Sequence, residues 1–164
     1  LLSVQNIYPN IVIDSGNFLN ENAVTMMDAS HWIILVINPD IACLRDASRF
    51  FDICHTTLSI PKEKILVVIN QHDQREALSR EDIERSLQVK VFATLPWDPR
   101  ISMQSINRGV PVVLQKQNKI PLRKAFQVMA KNLAGTMGLK AGAVSASTDR
   151  KTLPEVLSKS SRLG

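Results

Sequence analysis

The sequence has little cysteine and no long apolar run. Its 164 residues include only Cys43 and Cys54, too few for a disulfide framework. Both fall on one predicted helix, about 16 Å apart at 1.5 Å per residue, which is too far for a disulfide. No apolar run approaches the roughly 18 residues that span a bilayer. Because free thiols are typical of a reducing compartment, we expect a cytoplasmic protein.

The start of the chain also lacks an initiator methionine and the basic start of a signal peptide. Its first residues, "LLSVQN", resemble the last residues of a helix. The earlier residues of that helix are not in the sequence. We therefore expect a piece of a longer protein. Hydrophobic residues make up 45% of the sequence and charged residues 21%, which is enough apolar material for a core and argues against disorder.

The net charge of +5 is concentrated near the end of the chain. Residues 138–164 hold five basic and two acidic side chains, a net charge of +3. The rest carries only +2, which is ordinary, so the body shows no direct nucleic-acid signature.

Short apolar runs alternate with helical patterns along the first 135 residues. The runs are Ile11–Ile13, Trp32–Ile37, Ile65–Ile69 and Val91–Leu95. The second and third are β-branched and apolar on consecutive residues, as strands buried on both faces of a parallel sheet are. Alternating strands and helices imply right-handed crossovers. The pattern predicts an α/β fold, a mostly parallel sheet with flanking helices.

Helices are predicted over 41–58, after 79 and over 119–134. Asp40 and Ser79 are expected to cap the first two of these helices. Val110–Leu114 is a candidate edge strand, although Pro111 counts against it.

Two domains of unequal character are expected. Residues 1–137 should form the α/β domain, and 138–164, rich in Ala, Gly, Ser, Thr and Lys, a basic flexible tail. The tail has a small apolar patch, and burying it in a bilayer would release too little free energy for stable membrane anchoring. We expect the tail to be solvated, with membrane contact as the alternative that the patch does not favour.

Polar residues follow the predicted strands, where open parallel sheets bind ligands. Asp14 ends the first run and is followed by Ser15 and Gly16. Such an aspartate can hold Mg²⁺ through water or orient an attacking water, and Gly16 lets the backbone approach a phosphate. The alternative is that Asp14 only caps the next turn.

Asn70 ends the third run, and its amide offers the donor and acceptor pair that matches an adenine edge. "NQHD" also echoes the guanine motif of GTPases, and a simple turn is the third interpretation. Pro96, Trp97 and Asp98 follow the fourth run; the first two could flank a base and Asp98 could accept from an amino group or ribose. Surface packing is the alternative for Trp97. The three histidines lack metal-ligand spacing.

Four strings occur in order along the chain: "YPNIVIDSG", "DASHWIILVINPDIACLRDASRFFD", "KILVVINQHD" and "VFATLPWDPRISMQSINRGVPVV". Together with a final helix, their order resembles the C-terminal half of MinD/ParA-like P-loop ATPases. The resemblance covers about residues 1–135 and is strongest to the CpaE/TadZ branch of Flp pilus assembly.

The resemblance implies site residues, cofactors and partners. Asp14 falls on the Walker B aspartate near Mg²⁺, residues 15–20 on the loop that senses the γ-phosphate, Asn70 on the adenine-contacting asparagine, and Pro96 and Asp98 on the loop around the base. It also implies binding of ATP and ADP, a homodimer, and a protein partner in a positioning or assembly system. The expected location is the cytoplasm or the periphery of the inner membrane.

The sequence differs from the family in lacking the loop that binds the nucleotide phosphates. No G-x-x-x-x-G-K-[ST] motif or Gly-rich loop occurs in it, and such a loop supplies most of the phosphate binding. "SGN" replaces the commoner proline-containing turn after the aspartate. ATP hydrolysis is therefore expected only in a full-length chain. A degenerate, non-catalytic scaffold that binds a protein partner without nucleotide is the alternative.

Overall fold

The computed structural model describes residues 7, 8, 10–73, 78–115 and 120–138. The expectations for "LLSVQN" and for the tail after residue 138 lie outside these residues. The described helices are α1 Glu21–Ala29, α2 Ile41–Thr56, α3 Arg80–Leu87, α4 Pro99–Arg108 and α5 Pro121–Thr136. The strands are β1 Ile33–Ile37, β2 Ile65–His72 and β3 Val91–Pro96, and 3₁₀ turns cover Lys62–Lys64 and Val112–Leu114. None of the described helices is long and apolar enough to cross a lipid bilayer.

The three strands form a parallel sheet in the order β1-β2-β3. Ile33 pairs with Ile65 and Ile37 with Ile69 without interruption. The β2–β3 register shifts twice, and the last pair is His72 with Pro96. The predicted α/β fold with a parallel sheet and flanking helices is confirmed.

Side-chain caps start the helices where the sequence places short polar residues. The Asp40 carboxylate accepts the Cys43 amide at 2.8 Å, and the Ser79 hydroxyl accepts the Asp82 amide at 3.1 Å. Both predicted caps are confirmed. The apolar pattern did not predict helix α1. Its N-cap is Asn20, whose side chain accepts a hydrogen bond from the Ala23 amide at 2.9 Å. These bonds satisfy amides that the first helical turn leaves unpaired.

The two faces of the sheet are covered to different extents. One face buries Ile37, Val67 and Ile69 beneath α2 and α3. The other buries Val68 and Leu95 beneath α4 and α5. On β1, however, Ile34 and Val36 are exposed, Val36 to 56%, whereas the alternating Ile33 and Leu35 are half-buried and Ile37 is buried. The prediction that this strand is buried on both faces is therefore wrong for the described structure.

Two predicted strands are absent from the part of the chain that the structure describes. Residues 11–15 have no strand pairing, and Val12 is 91% exposed. The run is apolar, but no sheet edge in the described structure pairs with it. Val110–Leu114 instead forms a 3₁₀ turn after Pro111, because proline lacks the N–H that a strand ladder needs.

A charged cluster fixes the beginning of β3 to α3. The Glu84 carboxylate accepts the Val91 amide at 2.9 Å and pairs with Arg80 at 3.0 Å and Lys90 at 3.1 Å. These bonds hold the pKa of Glu84 at about 2, chiefly through the Val91 amide and then Lys90 and Arg80. Arg80 also donates to the Val91 carbonyl at 2.8 Å, so both polar backbone groups of Val91 are held by α3.

The chain divides after Met129 into two units. The described part of the second unit, 130–138, holds the last turns of α5 and the turn that follows it. The predicted domain boundary at residue 137 stays a prediction.

Candidate functional site

The carboxyl ends of β2 and β3 form the best-defined part of the candidate site. The Trp97 amide donates to the His72 carbonyl at 3.1 Å, and His72 pairs with Pro96. Asn70, two residues before His72, therefore lies at the same end of the sheet as Pro96, Trp97 and Asp98. The prediction of a shared edge is therefore confirmed for the ends of β2 and β3, and the binding roles of these residues stay predictions.

Asn70 has the features of a ligand-facing amide. It is half-buried, and its side chain has no hydrogen-bond partner among the described residues. Because side chains alternate along a strand, it lies on the same face as Val68, whose cluster includes α4 and α5. Gln71 then adopts a left-handed conformation, φ +54°, at the register shift between the Ile69 and His72 pairs. A half-buried amide with unused donors and acceptors suits an edge of a planar base.

Asp98 has a structural role that the sequence analysis missed. Its Oδ1 accepts the Ile101 amide at 3.0 Å, so Asp98 is the N-cap of α4, with Pro99 at the first helical position. The Asp-Pro pair is a known helix-start signal and could have been recognised as one. The cap uses one carboxylate oxygen and leaves the other for a ligand. Trp97 is 46% exposed beside it.

Asp14 lies outside the described sheet. Its Oδ1 accepts the Gly16 amide at 3.0 Å, the local turn that the capping interpretation predicts. Gly16 has φ +69°, which glycine adopts without strain, and open space where a Cβ would be. Both residues are exposed. The expectation that a strand presents Asp14 beside Asn70 is wrong for the described residues, since residues 11–15 do not pair with β1.

The donor set limits how a metal could be held. No group of three or more His, Cys, Asp or Glu side chains in the described ranges could enclose a metal ion. Asp14 offers a single carboxylate with one free oxygen. That donor set fits Mg²⁺, which keeps several waters and is held largely by substrate phosphates, but not a metal bound by protein ligands alone.

The two thiols do not add chemistry to the site. A hydrogen bond with Asp40 raises the pKa of Cys43, and burial raises the pKa of Cys54. Protonated thiols are poor nucleophiles and poor metal ligands. One further polar group was missed by sequence reasoning: the Thr94 hydroxyl on β3 is buried without a hydrogen-bond partner in the described structure. No sequence pattern marks it, because it lies within an apolar strand.

A parallel α/β sheet with polar residues at its carboxyl ends defines the class of open-sheet ligand-binding proteins. No protein-family model matches the chain. It is 26% identical to the putative septum site-determining protein MinD of Nephroselmis olivacea over 137 residues, covering 78% of this chain and 47% of that protein. The chain spans 33–50% of the length of the curated relatives it matches.

Solved structures of MinD proteins are also similar to this chain. MinD of Pyrococcus horikoshii, complexed with Mg-ADP, matches with a TM-score of 0.67 and 26% identity, over 84% of this chain and 55% of that one. The MinC:MinD complex of Aquifex aeolicus matches with a TM-score of 0.61 and 25% identity, over 71% and 48%. The chain is homologous to the MinD/ParA family of P-loop ATPases. Its place in the CpaE/TadZ branch stays a prediction.

Proposed function

We propose that the chain is the nucleotide-sensing half of a MinD/ParA-like ATPase that acts as a positioning or assembly switch. The single observation that carries the proposal is the Asn70 amide. It is half-buried, has no hydrogen-bond partner among the described residues, and lies at the strand ends where the Trp97 amide bonds to His72. Open parallel sheets bind their ligands at such ends. The Pyrococcus horikoshii relative, solved with Mg-ADP, supports a nucleotide as the ligand.

Each site residue has a distinct proposed role. Asn70 contacts the adenine edge, and Pro96, Trp97 and Asp98 enclose the base. Asp14 holds Mg²⁺ through water, and Gly16 lets its loop follow the γ-phosphate. The exposed position of Asp14 supports a mobile sensing role more than a rigid one, because only its hydrogen bond with the Gly16 amide fixes it among the described residues.

ATP hydrolysis requires a phosphate cradle that these residues do not supply. A Gly-rich loop and its lysine bind the β- and γ-phosphates in P-loop enzymes, and neither motif occurs in the 164 residues. We therefore propose that the chain hydrolyses ATP only as part of a longer protein. Its proposed cofactors are ATP and Mg²⁺.

A fusion protein tests this proposal. The part of Pyrococcus horikoshii MinD that precedes the matched region is joined ahead of residue 1, and Mg-ATP binding is measured by calorimetry for the fusion and for the chain alone. The fusion should bind with micromolar affinity, and the chain alone much more weakly. Micromolar binding by the isolated chain, or no binding by a folded fusion, would contradict the proposal.

The biological setting is proposed from the resemblance and the relatives. The CpaE/TadZ-like strings favour pilus assembly as the system, in the cytoplasm or at the periphery of the inner membrane. The Aquifex aeolicus relative, solved in a complex with MinC, supports a protein partner. We propose a homodimer as the active form, which sedimentation with and without Mg-ATP would test on the fusion.

One observation favours the second candidate, a degenerate scaffold. Asp14 makes a local turn, and Asp98 caps a helix, so both carboxylates have structural roles that require no nucleotide. A scaffold of this fold would keep its partner surface and bind no ATP. A folded fusion that binds its protein partner but not Mg-ATP would identify it.

A further inference from the structure

Asn38 is a second asparagine at the carboxyl ends of the strands, and the roles proposed above do not include it. It directly follows Ile37, the last residue of β1. Ile37 pairs with Ile69, which directly precedes Asn70. Adjacent strands lie about 4.8 Å apart. The two asparagines therefore occupy neighbouring positions at the end of the sheet where the candidate site lies.

The turn after β1 does not use the Asn38 side chain. An asparagine in a turn commonly bonds the backbone two residues on through its side chain. Here it is the Asn38 backbone carbonyl that accepts the Asp40 amide, at 2.9 Å. The side chain has no hydrogen bond with any residue that the structure describes. It is half-buried, and neither its oxygen nor its nitrogen is sealed from solvent, so a ligand can reach both atoms.

The backbone is held in place on both sides of Asn38. Before it, β1 pairs with β2 without interruption up to Ile37. After it, the Pro39 carbonyl accepts the Leu78 amide at 3.1 Å, which joins this turn to the segment before α3. A polar group on a backbone fixed in this way loses little further freedom when a ligand binds, which suits a site residue.

Space for the rest of a ligand bound at Asn70 lies on the β1 side of the site. On the β3 side, the Pro96–Asp98 loop leads directly into α4, which covers this face of the sheet together with the start of α5. On the same face of β1, Ile34 and Val36 are exposed, because no described helix covers them. A nucleoside whose base lies between Asn70 and the loop would therefore extend its sugar toward Asn38.

The chemistry of Asn38 fits sugar hydroxyls better than phosphate. Its amide both donates and accepts hydrogen bonds, as a hydroxyl does. Phosphate oxygens only accept, and proteins bind them chiefly with cations and backbone N–H groups. Asp40, two residues on, is exposed and caps α2 through its carboxylate. The negative charge of that carboxylate opposes a phosphate beside Asn38.

We propose that Asn38 binds the ribose hydroxyls of the nucleotide whose base Asn70 contacts. This inference rests on the proposed function and adds a sugar subsite to it. In this arrangement Asn70 recognises the base and Asn38 the sugar, each from the end of its own strand.

A nucleotide that lacks both hydroxyls tests the sugar subsite in the fusion protein. Calorimetry measures the binding of Mg-ATP and of Mg-2′,3′-dideoxy-ATP to the parent fusion, to Asn38→Ala and to Asn70→Ala. With ATP, Asn38→Ala should bind at least ~fivefold more weakly than the parent, as when a hydrogen bond to a ligand is lost. With dideoxy-ATP, Asn38→Ala should bind within about twofold of the parent, because the contact is already missing. Asn70→Ala should bind both nucleotides more weakly than the parent.

The control variant is Asn132→Ala, an exposed asparagine on α5, which should bind both nucleotides like the parent. Unchanged ATP affinity of Asn38→Ala, or an equal loss with both nucleotides, would overturn the sugar subsite. ATP binding by the parent would in that case leave the proposed function standing. A folded parent fusion that binds neither nucleotide would contradict the proposed function, and the sugar subsite with it. Parental affinity of Asn38→Ala for dideoxy-ATP also shows that this variant is folded.

Discussion

Trp97 follows β3 and His72 ends β2, and the Trp97 amide donates to the His72 carbonyl at 3.1 Å. This bond belongs to the last pair of the parallel β2–β3 ladder, His72 with Pro96. It holds the loop after β3 against the end of β2. The loop that is proposed to enclose a base thus has a fixed position relative to Asn70 before any ligand binds.

Replacing Asn70 should weaken nucleotide binding directly. In the fusion protein, Asn70→Ala is expected to cost about 1–3 kcal/mol of Mg-ATP affinity, because the base edge loses its hydrogen-bond partner. Calorimetry measures the change. Asn107→Ala, an exposed asparagine on α4, is the control and should leave the affinity unchanged. Equal affinities for Asn70→Ala and the parent fusion would remove Asn70 from the site.

Replacing Asp14 should affect turnover more than binding. Asp14→Asn keeps an oxygen that can accept the Gly16 amide but removes the charge, whereas Asp14→Ala removes both. If Asp14 acts on Mg²⁺ and water, both variants of the fusion should lose at least ~tenfold in steady-state ATP turnover. Nucleotide affinity should change less. Full activity of Asp14→Asn would show that only the turn matters.

The Asp98 cap gives a prediction about stability. Asp98→Ala should lower the free energy of unfolding by about 0.5–2 kcal/mol, the usual cost of losing a side-chain N-cap. Asp98→Ser restores an oxygen acceptor and should recover most of the loss. Urea denaturation of the chain measures both. A serine variant as unstable as the alanine variant would show that the Ile101 contact is not what the carboxylate contributes.

Glu84 is expected to make the folding stability of the chain depend on pH. Its pKa is about 2 in the folded chain against an ordinary value of 4.5. Because the folded pKa is depressed, the stabilisation is fully present above about pH 4.5 and is lost as the pH falls toward 2. Glu84→Gln should therefore melt at a lower temperature than the parent at pH 7, and the gap should narrow below pH 4.5.

Thermal unfolding followed by circular dichroism between pH 7 and pH 3 measures this difference. Glu81→Gln on the same helix removes a charge without touching the Val91 contacts, and it is the control. A gap between Glu84→Gln and the parent that stays constant over this range would show that the carboxylate charge is not the source.

Much of the fold was predictable because its signals are local. Asp40 and Ser79 each precede a helical pattern, and each caps the helix as expected. The strands β1 and β2 were predictable from their consecutive β-branched residues, and β3 from a short apolar run between two helical patterns. The ends of neighbouring parallel strands share one edge, so the placement of Asn70 and Pro96 at the same end of the sheet followed from strand order alone.

The wrong strand and burial predictions concern residues whose structure depends on contacts with parts of the chain that are distant in sequence. Ile11–Ile13 has the composition of a strand, but a strand also needs a paired edge, which the described structure does not provide. The exposure of Ile34 and Val36 has the same cause, since no described helix covers that part of the sheet. Composition shows that a side chain is apolar but not what will cover it.

The edge of β1 that has no strand partner in the described structure also affects the solubility of the chain at high concentration. Its sequence, IILVI, has no charge, no proline and no glycine, and in the described structure it pairs on one side only. Natural edge strands usually carry a charge or a bulge that prevents pairing with other chains. The unpaired N–H and C=O groups of such an edge are a template for intermolecular β-pairing. The solubility of the polypeptide therefore depends on how well β1 is shielded, which makes this strand the expected starting point for aggregation.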